Sequence, residues 1–78
     1  MTDPILAHRS KPGVFYLASE SVEQGMRFQA GDGALYEIAT EPTKWGVAWV
    51  ADLLVIEGVR AGATVHQAML YTGRRMDT

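Results

Sequence analysis

A chain of 78 residues has room for one domain, and a chain that short buries only roughly 60% of its unfolded surface, so its single core is marginal. With no cysteine, disulfides, thiolate metal sites and a cysteine nucleophile are excluded, and His8 and His66 stand in no metal-ligand spacing. A net charge of −2 speaks against a general polyanion binder, while a hydrophobic fraction of 47% favours association with other chains.

Residues 1–13 read as an N-terminal arm, in which Asp3-Pro4 and Lys11-Pro12-Gly13 are breakers and Ile5 and Leu6 the apolar anchors. No basic stretch followed by an apolar run marks a secretion leader, and no run reaches the ~20 apolar residues that cross a bilayer. The expected setting is cytoplasmic or virion-associated, without a membrane partner. A β core is expected over residues 14–72. Val14-Phe15-Tyr16-Leu17-Ala18 is its first strand, with Phe15 and Tyr16 on opposite faces. Residues 19–25 offer cap-like chemistry in Ser21 and Gln24, stopped at once by Gly25, which gives one helical turn or a plain loop.

Met26, Phe28 and Ala30 alternate with Arg27 and Gln29, a half-buried strand pattern. Gly31-Asp32-Gly33 then predicts a hairpin turn into a returning strand over 34–40, with Tyr36 and Ile38 on one face and Leu35 and Glu37 on the other. Glu41-Pro42-Thr43-Lys44 reads as a turn. The run from Trp45 to Ile56 is the most apolar stretch, and Asp52 is its only charge. Its β-branched residues favour a long strand bent around a barrel over a helix from Thr43 to Glu57, with Val47, Trp49, Ala51, Leu53 and Val55 on one face and Ala48, Val50, Asp52, Leu54 and Ile56 on the other. Residues 58–62 form a loop. Residues 64–72 are read as a short C-terminal helix or a closing strand, with helix slightly favoured by a Thr64–Gln67 capping pattern and poor alternation. Residues 73–78 are a tail. The expected fold is mainly β: a small SH3-like or OB-like barrel or roll of about four to five strands.

No catalytic constellation, cofactor motif or metal site emerges. Gly31-Asp32-Gly33 lacks the third glycine of a dinucleotide fingerprint and the Lys-Ser/Thr ending of a P-loop. Glu20 with Glu23, and Glu37 with Glu41, are read as solvated pairs. Asp52 inside an apolar run needs a partner, and Arg27 or Arg60 is expected to supply it. The protein therefore reads as a non-catalytic interaction or assembly module that forms a homo-oligomer or a subunit of a larger complex, of the kind found in phage and virus particles. Phe15, Tyr16, Tyr36, Trp45, Trp49, Leu54 and Ile56 are the candidate interface. The competing reading is a small barrel that binds single-stranded nucleic acid. There Tyr16, Tyr36, Trp45 and Trp49 would stack bases, and Arg9, Lys11, Arg74 and Arg75 would meet phosphates.

Overall fold

The computed structural model describes residues 5–31 and 33–72. These form strands and no helix: β1 (Ile5–Lys11), β2 (Val14–Leu17), β3 (Arg27–Gln29), β4 (Leu35–Ile38), β5 (Thr43–Trp45), β6 (Ala48–Glu57) and β7 (Thr64–Tyr71). The order β4-β3-β1-β2-β7-β6, with β4 pairing back onto β6, closes a six-strand barrel, and β5 hangs on β6 outside the ring. Two pairings, β1 with β3 and β2 with β7, are parallel, and the others are antiparallel. The expected small β-barrel is what forms, with more strands than the four to five expected.

Both additional strands come from segments whose pattern is weak. From Ile5 onward the arm is β1, inserted between β2 and β3. Its inward positions include Ile5 and Ala7, which pack on the core, so only one large apolar residue signals the alternation. The 41–44 segment, expected to be a turn, holds β5 instead, and the reversal falls at Gly46-Val47. Gly46 has φ of 62° and Val47 has no positive φ, the pattern of a type II′ hairpin turn, whose twist suits antiparallel strands. The Gly31–Gly33 hairpin forms as expected, closed by Ala30 N–H to the Ala34 carbonyl at 3.0 Å. Residues 19–25 are the plain loop of the two readings. Ser19 Oγ donates to the Ser21 carbonyl, and Val22 is buried as part of the core.

β6 is the long central strand. Residues 48–50 pair with β5 and residues 53–57 with β4 along one edge, while β7 occupies the other. Ala51, Leu53 and Val55 point into the barrel, and Trp49 packs against the same core. Inside, Phe15, Phe28 and Tyr36 form a ring cluster with centroids 5.0 to 5.3 Å apart. Such pairs add roughly 0.5–1.5 kcal/mol beyond the area they bury.

β7 carries the irregularity that makes its sequence ambiguous. Its pairing with β6 shifts between Ala51–Ala68 and Leu53–Val65, so β7 has one residue more than its partner there. The extra residue coincides with Gln67, whose φ of 54° is the only positive value on a non-glycine among the described residues. This is a β-bulge. It moves the inward positions from Val65 to Ala68 and Leu70, a spacing of three that mimics a helix and breaks the alternation of a strand.

Three substitutions at two positions test the bulge and the core. Gln67→Gly removes a left-handed conformation that costs a side-chain-bearing residue about 1–2 kcal/mol, against glycine's entropic cost of about 0.5–1 kcal/mol. Its urea midpoint should match or exceed the parent's, and Gln67→Val should fall below it. Leu53→Ala, at a fully buried site, should cost about 2–5 kcal/mol in the same measurement.

Candidate functional site

The bulge fixes what β7 shows to the outside. Beyond it, Met69 and Tyr71 face outward while Ala68 and Leu70 are buried. Register extends this outer row across the sheet. Tyr16 on β2 pairs with Tyr71, their rings stacked at 4.8 Å, and with His8 on β1, whose ring lies 6.5 Å away. Continuing the Trp49–Leu70 register by one residue sets Ala48 beside Tyr71, and Ala48 pairs with Trp45 on β5. The next row holds Val14, Met69, Val50 and Thr43.

The result is an apolar, aromatic outer face over β2, β7, β6 and β5. Most of its side chains are half-buried, but Trp45 is 70% exposed, and Val47 at the adjoining turn is 80% exposed. None of these positions is Asp, Glu, Lys or Arg. The rest of the outer surface is mixed: Arg27 and Glu37 form an ion pair at 3.3 Å across β3 and β4, beside exposed Leu54 and Leu6.

The outer edge of β5 has no partner strand among the described residues. Lys44 is the middle residue of this three-residue strand. Trp45 and Ala48 close a two-residue hairpin as a bonded pair, so the Lys44 amide and carbonyl point outward. Its Nζ lies 5.1 Å from the Trp49 ring centroid, a cation–π contact that covers that ring. Short length and a central lysine are the usual protection of an edge against strand addition.

Asp52 does not pair with Arg27 or Arg60. Instead its Oδ1 accepts the Gln67 backbone N–H at 2.9 Å, and its Oδ2 lies 3.8 Å from His66 Nδ1. Its own N–H donates to Thr40 Oγ1, and its carbonyl accepts the Ala39 N–H. The carboxylate is spent on the bulge, because a backbone amide displaced from the ladder needs an acceptor.

The other expected site residues divide. Phe15 and Tyr36 are core and leave the candidate interface. Trp49 is held between the core and Lys44. Tyr16 and Trp45 belong to the apolar outer face, while Leu54 and Ile56 lie on the outer side of the later part of β6. Sequence alone did not single out Val14, Val50, Met69 or Tyr71, because their shared face depends on register and on the bulge. The stacking residues of the nucleic-acid reading are thus not gathered on one surface. Arg9 and Lys11 lie at the far end of β1, and Arg74 and Arg75 fall outside the described residues. No group of three or more His, Asp or Glu suited to a metal occurs among the described residues. Comparison with protein-family models, curated proteins and solved structures finds no match.

The Asp52 contact is testable by graded substitution. Asp52→Ala should lower stability by about 0.5–1.5 kcal/mol, the usual net value of a hydrogen bond. Asp52→Asn, which keeps an acceptor for Gln67, should lose less. Equal losses in urea titrations of the two variants would show that the acceptor is not what matters.

Proposed function

We propose that the protein is an assembly module that associates with a second copy of itself through the outer face of Val14, Tyr16, Val50, Met69, Tyr71 and Trp45. The observation that carries this reading is a continuous apolar face, with no Asp, Glu, Lys or Arg among the described residues that form it, on the outside of a barrel whose interior holds the core cluster. Contiguous apolar surface of this kind marks interaction sites. An uncharged face suits a two-fold pairing in particular, because copies meeting on the same patch bury no unpaired charge and no like charges oppose one another. Tyr and Trp are the side chains that dominate such contacts, since they bury large area at small conformational cost. The protected β5 edge means that side chains, and not an added strand, make the contact. The same face would seat the chain in a larger particle built from many copies.

Light scattering coupled to gel filtration tests the proposal. At micromolar concentration the parent chain should run at twice its 8.5 kDa or a higher multiple. Trp45→Glu and Tyr71→Glu should run as single chains with the β-sheet circular dichroism retained. A parent protein that stays monomeric at millimolar concentration would overturn the reading.

A further inference from the structure

The aromatic outer face ends on β1 at His8. Alternation along β1 turns Ile5 and Ala7 to the core, so Leu6, His8 and Ser10 take the outward positions. His8 stands directly opposite Tyr16 in the antiparallel β1–β2 register, and the two rings lie 6.5 Å apart at 37°. Tyr16 in turn is stacked on Tyr71 of β7, the other neighbour of β2. His8, Tyr16 and Tyr71 thus follow one another across three adjacent strands, and His8 is exposed.

Among the described residues, the strands around His8 supply no carboxylate: β1, β2 and β3 contain neither Asp nor Glu. Its outward neighbours on β1 are Leu6 and Ser10. On β2 the one titratable group is the Tyr16 phenol. On β3 the one charge is Arg27. Register sets Gln29 opposite Leu6, which carries Arg27 towards the start of β1 and away from His8, and Arg27 is engaged with Glu37 at 3.3 Å. Arg9 takes the inward position opposite Phe15, and Lys11 lies beyond the irregularity in β1. At the far end of the face, Lys44 lies over the Trp49 ring.

We infer that His8 makes the self-association dependent on pH: as a neutral ring it is covered together with the face, and as an imidazolium it opposes the contact. The inference rests on the self-association reading and concerns the regulation of that same face. Histidine changes charge between pH 5 and 8. Neutral, it extends the aromatic row by one strand. Protonated, it brings one positive charge from each copy to a surface that suits a two-fold contact because it carries none. Covering such a charge costs free energy unless a counter-charge or hydrogen bonds answer it. Tyr16 does not repay that cost, because a cation–π contact needs about 6 Å or less and the ring centroids are 6.5 Å apart. The associated form therefore binds the proton less well than the single chain does. Association is complete at the alkaline end and weakens as pH falls through the histidine range.

Sedimentation equilibrium of the full chain between pH 5.5 and 8, with circular dichroism at each pH to show that the fold is kept, tests the inference. The dissociation constant at pH 5.5 should be at least about tenfold weaker than at pH 8, a factor of ten being one unit of difference in proton affinity between the two forms. His8→Gln, at an exposed position, should associate equally well at both ends of the range. His66→Gln removes the other histidine, which lies 3.8 Å from Asp52, and should keep the dependence of the parent. A parent dissociation constant that does not change with pH, a dependence that survives His8→Gln, or one that is lost in His66→Gln would overturn the inference while leaving the association itself standing. A parent chain that is monomeric at every pH up to millimolar concentration would overturn both.

Discussion

The hydrogen bond from the Gln67 backbone to the Asp52 carboxylate holds the structure to one arrangement. It stabilises a bulge that a non-glycine residue adopts only at a cost, and the bulge decides the orientation of everything after it on β7. Without the extra residue, Val65, Gln67, Met69 and Tyr71 would share one face, and a one-residue slip exchanges inside for outside along the whole strand. With it, Ala68 and Leu70 fill the barrel, and Met69 and Tyr71 are turned out beside Val14, Tyr16 and Val50. The bulge thus sets both the packing of the core and the composition of the outer face, and the Asp52 carboxylate accepts its displaced amide.

The functional proposal follows from geometry of a similarly simple kind. A closed barrel has one interior, and β6 is apolar on both sides. Its inward set of Ala51, Leu53 and Val55 meets the ring cluster of Phe15, Phe28 and Tyr36. Its outward set has only neighbouring strands for partial cover. A domain this small has little stability to spare, so burying that surplus between copies strengthens the fold as well as the contact. The strand edge that would invite indiscriminate pairing is short and carries Lys44, so the proposed association is assigned to side chains, which can be specific.

Much of the fold was legible in the sequence where alternation is strong. The Gly31–Gly33 hairpin and the inward faces of Met26–Ala30 and 34–40 rest on period-two patterns with large side chains, and the structure keeps them; the long strand expected over 45–56 is kept from Ala48 onward, with Trp45 given to β5 and Gly46-Val47 to a turn. Three features were not legible, each for a physical reason. β1 spends its inward positions on Ile5, Ala7 and Arg9, so the pattern carries little hydrophobic contrast. The II′ turn at Gly46-Val47 sits inside the most apolar run, where a turn is least expected. The bulge at Gln67 imposes a helix-like spacing on a strand. For the site, Tyr16 and Trp45 could be picked out as surplus aromatics, but Val14, Val50, Met69 and Tyr71 join them only through register. Asp52 stood out as needing a partner, yet its partner is a backbone amide and so has no signature in side-chain chemistry.

The most direct test of the central claim is an isotope-filtered NMR measurement on a sample mixed from labelled and unlabelled copies. Contacts between copies are expected among the side chains of Tyr16, Trp45, Met69 and Tyr71, and none between the Lys44 amides of two β5 edges. Contacts between copies confined to the β5 edge, or an associated sample with no contact on the aromatic face, would contradict it.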